Sequence, residues 1–386
     1  MRAVANRFGV SRETVRRWVG RAGDDVLEHV DLTDRSSAPA CQARRTPVQI
    51  EDEILAIRRQ LAQESVLGEY GAAAIRRELE GRAGDHQAGL PSLRTIGRIL
   101  DRRGALDGRR RVRRPAPPAG WYLPDLAARR VELDSFDVIE GLRLKGGRTI
   151  AILTGISVHG GLCDAWPCES VTTTLAMAAL EARWRIHGLP AFSQFDNDPR
   201  FAGSHGYVDL FGRLVRFCLG LGVVPVFAPP REMGFQAAIE SFNGRWQAKV
   251  WDRFWSPALE DLETRSAAYI GATRARSAAR IEGAPARLPF PRDWAFDPGL
   301  PPAGRLVFLR RTSETGSAEV LGRTYPVDVH WPHRLVRAEI DLAEERITFH
   351  ALRRRDPADQ PLLRAYPYAP ARRRIRGRHA RDDTRR

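Results

Sequence analysis

The spacing of apolar and polar residues changes period several times along the chain, and each change marks a different kind of element. Near the start, "VANRFGVSRETVRRWV" reads as two short helices: Gly9 makes the turn, Ser11 caps the second helix, and Val15 and Trp18 recur at helical spacing. This is helix-turn-helix grammar, assigned to residues 1–40, with Arg12 and Arg16 on the second helix as candidate DNA contacts. No helix precedes the pair, so the unit reads as partial, clipped by start-codon choice or by decay. The segments "QIEDEILAIRRQLA", "EYGAAAIRRELEGR" and "LPSLRTIGRILDRRG" are amphipathic helices of a second helical unit, 46–108. In the last of them Ser92 caps the helix and Ile96, Ile99 and Leu100 face inward. That leaves Arg94, Arg98, Arg102 and Arg103 outward, to touch phosphate or simply to be solvated.

A basic, Pro-rich linker follows (109–125), containing Arg109, Arg110 and Arg111 as further DNA contacts. From about residue 130 the period falls to two. "RRVELDSF", "TIAILTGISV" and "LCDAWPC" are consecutive antiparallel strands, followed by helix, strand "AFSQFDN", helix, strand "VVPVFAPP" and the long helix "GFQAAIESFNGRWQAKVW". This order predicts a mixed five-stranded sheet with helices on both faces, spanning 126–296. After it, five short β-rich runs predict a small β-barrel at 304–355, and 356–386 reads as a basic disordered tail. The fold class is thus multidomain α+β.

Composition refines the picture. The chain has 386 residues, 43% of them apolar, which is ample for real cores. It lacks a run of eighteen apolar residues and a secretory leader, so the expected compartment is the cytoplasm, with no membrane partner. Net charge is +15, which favours an acidic polymer as partner, although all but two (Lys145 and Lys249) of the 62 basic residues are arginine and biased coding alone can raise such a count. The location of the charge is more telling. Residues 134–251 carry eleven basic and eleven acidic side chains, whereas 101–114 carry seven arginines against two aspartates and 352–386 carry twelve against four. The excess lies in the arms, not the core. Cys41, Cys163, Cys168 and Cys218 show no paired spacing; with His159 two of them suggest a zinc site, but no fourth ligand is suitably spaced, and reduced thiols are expected.

Three acids stand out by position: Asp134 in the first core strand, Asp196 closing the fourth, and Glu240 in the helix after the fifth. In an open α/β sheet, groups at strand ends and on adjoining helices can converge. Three like charges brought together raise one another's pKa unless a cation lies between them, and oxygen-only ligands select a hard ion, Mg²⁺ or Mn²⁺. Around Glu240, Phe235, Ile239, Phe242 and Trp246 form an apolar stripe, while Gln236, Asn243 and Gln247 share the face of the acid and suit hydrogen bonding around a metal or a DNA phosphate. Each acid alone also reads as a surface residue or a turn former, Asp196 and Asn197 ahead of Pro199 above all.

That order of acids resembles the ribonuclease-H-like catalytic core of DDE transposases and retroviral-type integrases. "GLPAFSQFDNDPRFAG" is similar to the segment around the family's second acid, and "APPREMGFQAAIESFNGRWQ" to the segment around its third. "VELDSF" is the weakest match, and there Asp137 competes with Asp134; Asp134 is preferred because it falls within the expected strand. Bacterial insertion-sequence transposases of this kind commonly place helix-turn-helix units before the core, and some carry a small β-barrel after it. Three departures stand out. Asp198 replaces the usual glycine, Asp196 and Glu240 are 44 positions apart, longer than usual, and Gln247 stands where a basic residue is often found, with Lys249 as a possible substitute.

The resemblance implies that Asp134, Asp196 and Glu240 hold two Mg²⁺ ions, with cleavage at transposon ends followed by attack of the freed 3′-hydroxyl on target DNA. It further implies double-stranded DNA as partner, a homo-oligomer on that DNA, and a bacterial, nucleoid-associated location. Asn243 and Lys249 join the arginines as candidate DNA contacts. Two other classes compete: an inactive relic that only binds DNA, and a metal-dependent nuclease that cuts without joining.

Overall fold

The computed structural model describes the chain except residues 25, 31–32, 34–45, 84–88, 107–118, 204–208, 233, 255, 355 and 371–386. The linker arginines Arg109, Arg110 and Arg111, Cys41, and the end of the basic tail lie outside the described residues.

The first two helices, α1 (Arg2–Phe8) and α2 (Arg12–Ala22), are joined through Gly9 at φ 63°, and Ser11 Oγ accepts the Thr14 amide at 3.0 Å. Glycine meets this left-handed turn without a Cβ clash. The second unit packs α3 (Val48–Glu64), α4 (Ala72–Ala83) and α5 (Leu93–Arg102) around Ile54, Ile57, Ile75, Leu79, Ile96, Ile99 and Leu100. The inward positions agree with the helical period, and Ser92 Oγ takes the Thr95 amide at 3.2 Å. Arg102 and Arg103, expected to point outward unpaired, instead bind Glu51, whose side chain is fully buried on α3. A buried carboxylate must find cations, and the last turn of α5 provides them. Glu51→Gln is therefore expected to destabilise the unit by about 1–3 kcal/mol in chemical denaturation.

After α6 (Pro124–Ala127), the sheet begins with β1 (Leu133–Arg143), β2 (Thr149–Ser157), β3 (Cys163–Cys168), β4 (Phe192–Phe195) and β5 (Val224–Phe227). Their spatial order is β3-β2-β1-β4-β5, with the first two pairings antiparallel and the last two parallel. Phe136 lies opposite Gly155, where a Cβ would stand 2.7 Å from its ring, so glycine lets the aromatic cross β2. One face is covered by α7 (Thr173–His187) and, beyond the short α8 (Pro199–Ala202), by α9 (Arg213–Gly220), through Phe136, Leu180, Trp184, Phe195, Leu214 and Phe217. The other face packs Ile139 and Ile152 against Ile239, Phe242 and Trp246 of α10 (Ala237–Trp246) and Leu262 and Tyr269 of α11 (Leu259–Arg276). The short α12 (Ala278–Glu282) follows.

The sheet is larger than the five strands expected, and the C-terminal strands do not close into a separate barrel. The strands β6 (Arg305–Arg311), β9 (Leu335–Asp341), β10 (Arg346–Ala351) and β11 (Leu362–Pro367) continue it beyond β5 to nine strands, while β7 (Ser317–Val320) and β8 (Arg323–Pro326) pair only with each other. The junction is parallel, Val226 with Val307 and Phe227 with Phe308, and the two phenylalanine rings stack at 5.0 Å. Leu306 to Leu309 are buried in succession, as in a strand covered on both faces. β11 likewise corrects the expectation that everything after 355 is disordered, since it pairs antiparallel with β10. Among the described residues no helix is long and apolar enough to cross a membrane.

Candidate active site

Strand parity in β1 decides which face of the sheet each acid takes. Phe136 faces α7 and Ile139 faces α10, so Asp134 belongs to the first face and Asp137 to the second. Glu240 sits on α10. Asp134 and Glu240 therefore lie on opposite sides of the sheet, and the sequence-based choice of Asp134 as first acid is corrected. Its carboxylate is fully buried, bound by Arg183 Nε at 3.0 Å, Arg287 Nη2 at 2.5 Å and Trp184 Nε1 at 3.0 Å. Burial by itself would raise its pKa, but the two guanidiniums outweigh burial and hold the carboxyl well below the usual range. Arg183 is shared with Asp164 and the Leu162 carbonyl. This network ties α7 and the segment at Arg287 to β1.

Asp137 stands in the middle of β1, not at a departing turn, because the strand runs on to Arg143. β1 and β4 are in register through Leu133–Phe192, Asp134–Ser193 and Ser135–Gln194, and Asp196 follows directly after β4, near enough for its charge to act on Asp137. The stacked rings of Phe136 and Phe195, 5.8 Å apart, fix the middle of β1 against the end of β4. Burial, then the charges of Asp196 and Glu240, push the Asp137 carboxyl up to about 6. Asp196 is raised too, first by burial and then by the Asp198 charge. Among the described residues no basic side chain bonds Asp137 or Glu240.

Asn243, expected to touch DNA, is instead buried and turned inward. Its amide donates to Asp137 Oδ2 at 2.8 Å, and its carbonyl accepts from Thr154 Oγ1 at 2.8 Å, so α10 and β2 together orient the Asp137 carboxylate. Asn243→Leu, which keeps the volume and removes both bonds, is expected to lower any metal-dependent turnover roughly 10- to 100-fold, read from initial rates. Lys249 is likewise corrected: its Nζ donates to the Gly68 carbonyl at 2.9 Å and lies 5.8 Å from the Tyr70 ring, docking the second helical unit on the core. Arg12, Arg16, Arg94 and Arg98 are exposed, with Arg16 paired to Glu13.

The turn after β4 is built from its own acids. Asp196 Oδ1 accepts the Asp198 amide at 3.0 Å, and Asn197 Nδ2 donates to the Ala228 carbonyl at 2.6 Å. Asp198 caps α8 and pairs with Arg200, which also reaches Glu140 at 2.6 Å, so this fourth carboxylate has its own cation within the chain. The zinc alternative has no support: His159 Nε2 lies 2.8 Å from the Leu126 carbonyl oxygen, and Cys163, Cys168 and Cys218 are free thiols, Cys163 pushed up to about 11 by burial.

Asp137, Asp196 and Glu240 offer only hard oxygen donors, which fits a divalent cation such as Mg²⁺ or Mn²⁺. As they stand, no three His, Cys, Asp or Glu among the described residues are close enough to hold a metal ion.

Neither a protein-family model nor a curated protein sequence matches the chain. Among solved structures, a chain of the simian T-cell lymphotropic virus intasome in complex with PP2A regulatory subunit B56 gamma is similar at 14% identity and TM-score 0.34, over 69% of this chain and 84% of that one. The catalytic core domain of BIV integrase is similar at 17% identity and TM-score 0.28, over 37% and 81%. The HTLV-2 integrase catalytic core domain in complex with magnesium is similar at 13% identity and TM-score 0.26, over 41% and 87%. At these identities and TM-scores the likeness assigns neither activity nor site residues.

Proposed function

We propose that the chain is a metal-dependent polynucleotidyl transferase acting through Asp137, Asp196 and Glu240. More particularly, it is a DDE transposase of the bacterial insertion-sequence kind, which cleaves at transposon ends and joins the 3′-hydroxyl to target DNA. The observation that carries this reading is that Asn243 of α10, one turn from Glu240 and held by Thr154, donates to Asp137 Oδ2 at 2.8 Å, so Asp137 and Glu240 share one face of the sheet. Carboxylates on one face with no basic partner gain stability when a cation offsets them.

Asp137 and Asp196 would hold the ion or ions, with Glu240 completing the set. Bound there, Mg²⁺ or Mn²⁺ supplies Lewis-acid stabilisation of charge on the phosphate and eases deprotonation of the attacking water or 3′-hydroxyl. The chain's own part is orientation. Asn243, held by Thr154, turns the Asp137 carboxylate, and the Asp196–Asp198 turn fixes the second acid. Arg200 pairs with Asp198 and offsets part of its charge at the site. The exposed Arg12, Arg16, Arg94 and Arg98 would contact backbone phosphate on the helical units, and the linker arginines would add to affinity in a salt-dependent way. Pairing of two DNA ends calls for at least two protomers.

The test is product analysis with Mg²⁺ or Mn²⁺ on labelled duplexes taken from the DNA on either side of the gene. Joined products support transposition. Nicks without joining indicate a nuclease, and binding with neither indicates an inactive DNA-binding protein.

A further inference from the structure

Trp121 and Tyr122, in the linker just before α6, are both buried. Their backbone is held by the C-terminal part of the chain: Arg337 Nη1 of β9 donates to the Tyr122 carbonyl at 3.1 Å, and Gln360 Nε2 donates to the Trp121 carbonyl at 3.0 Å. Their rings lie 5.4 and 5.6 Å from the Phe235 ring, in one cluster with Phe192 of β4 and Val226 of β5. A phenol enters such a cluster cheaply only if its hydroxyl finds acceptors. Tyr122 shares its one proton between Gln194 Oε1 at 3.0 Å and the Phe235 carbonyl at 3.3 Å. Burial pushes its pKa up, so the proton stays on the oxygen. Gln194 is itself buried, its Nε2 has no partner among the described residues, and Ser135 Oγ reaches the same Oε1 only at 3.5 Å. Tyr122 is therefore the chief hold on that side chain.

We propose that Tyr122 is a positioning residue of the acid site, whose hydroxyl sets the end of β4 against the entry to α10. The proposal rests on the reading of Asp137, Asp196 and Glu240 as one cation site. Each group that meets at this hydroxyl stands a short step along the chain from one acid. Gln194 is two residues before Asp196, Ser135 two before Asp137, and Phe235 five before Glu240. Strand alternation puts Ser135 on the Asp137 face of β1, and Gln194 shares the face of Phe192, which packs in the Tyr122 cluster. Gln236, next to Phe235, donates from Nε2 to the Phe136 carbonyl at 3.5 Å, which lays the start of α10 on β1 beside Asp137. The acids come from three segments distant in sequence, and a buried hydrogen-bonded group between those segments resists their sliding past one another. Through Arg337 and Gln360 the C-terminal part of the chain takes a share in this placement.

The experiment titrates Mn²⁺ into the full-length protein with the free ion read by electron paramagnetic resonance, and follows hydrogen exchange of the metal-free protein by mass spectrometry. Tyr122→Phe keeps the ring and removes the hydroxyl. It is expected to weaken Mn²⁺ binding about 5-fold and to speed exchange about 10-fold in the segments 194–202 and 235–243. Gln194→Met is expected to weaken Mn²⁺ binding alike, and the double variant no more than either single one, because each change breaks the same bond. Ile347→Val, buried in β10 and four strands from β4, is expected to lower the melting temperature with Mn²⁺ affinity unchanged, which separates positioning from general loosening. If Tyr122→Phe loses its cooperative melting transition, Gln194→Met decides. Parental Mn²⁺ affinity in the folded Tyr122→Phe and Gln194→Met proteins would overturn the proposal, and so would equal weakening by Ile347→Val. A parent that takes up no Mn²⁺ sinks the cation site, and exchange then decides the bridge: faster exchange in both segments of Tyr122→Phe keeps it, and parental exchange ends it.

Discussion

Asp137→Asn is expected to abolish metal-dependent cutting and joining of DNA, by roughly 10³-fold or more, while the protein stays folded and still binds DNA. The same change should stabilise the metal-free protein at pH 7. The folded-state pKa of Asp137 is raised to about 6 by burial and by its acidic neighbours, so keeping it ionised above that pH opposes folding. The gain on removing the charge is about 1–3 kcal/mol. The sign follows from proton binding: the folded state holds this proton more tightly than the unfolded chain does. Stability of the parent therefore rises as pH falls from above about 6 toward the unfolded value of about 3.9, and the advantage of the variant closes over that window. Thermal melts at several pH values check this.

Asp134→Asn is expected to fail in the opposite way. It leaves Arg183 and Arg287 facing a neutral amide in a fully buried setting, so a loss of about 3–5 kcal/mol is expected in chemical denaturation. Because the folded-state pKa of Asp134 is depressed, its contribution is present in full above the unfolded value of about 3.9 and is lost as pH falls through the lower folded value. The gap between parent and variant should thus be widest at neutral pH and vanish in acid. Below its melting temperature the variant should retain metal binding, since Asp134 faces away from Glu240. The two aspartates, three residues apart in one strand, are separated by what each removal does: one abolishes chemistry and firms the fold, the other loosens the fold and leaves the acids in place.

Much of this was legible in the sequence. The stripe Phe235, Ile239, Phe242 and Trp246 is buried as its spacing predicts, and the order of the first five strands agrees with the pattern of runs and breaks. The segments around Asp196 and Glu240 single out the two acids that the proposed site keeps. They do not decide between Asp134 and Asp137, because that depends on which sheet face α10 covers, and that is a matter of packing, not of local pattern. A signal did exist: Phe136 and Ile139 bracket Asp137 and extend the strand beyond the boundary drawn at Phe136. The C-terminal strands were found as strands but given the wrong partners, since pairing is non-local. Four successive apolar residues, Leu306 to Leu309, marked a strand covered on both faces, which suits the interior of a large sheet better than the wall of a small barrel. Asn243 and Lys249 were misread because a polar side chain on a helix says nothing of whether a strand or a loop lies opposite it.

The central claim is that Asp137, Asp196 and Glu240 form one cation site. The most direct measurement is titration of Mn²⁺ into the full-length protein, followed by electron paramagnetic resonance of the free ion, for the parent and for Asp134→Asn, Asp137→Asn, Asp196→Asn and Glu240→Gln. Saturable binding is expected in the parent and in Asp134→Asn, weakened at least about 10-fold by each of the other three changes. Binding that survives Asp137→Asn at parental affinity, or a folded parent that takes up no Mn²⁺, would contradict it.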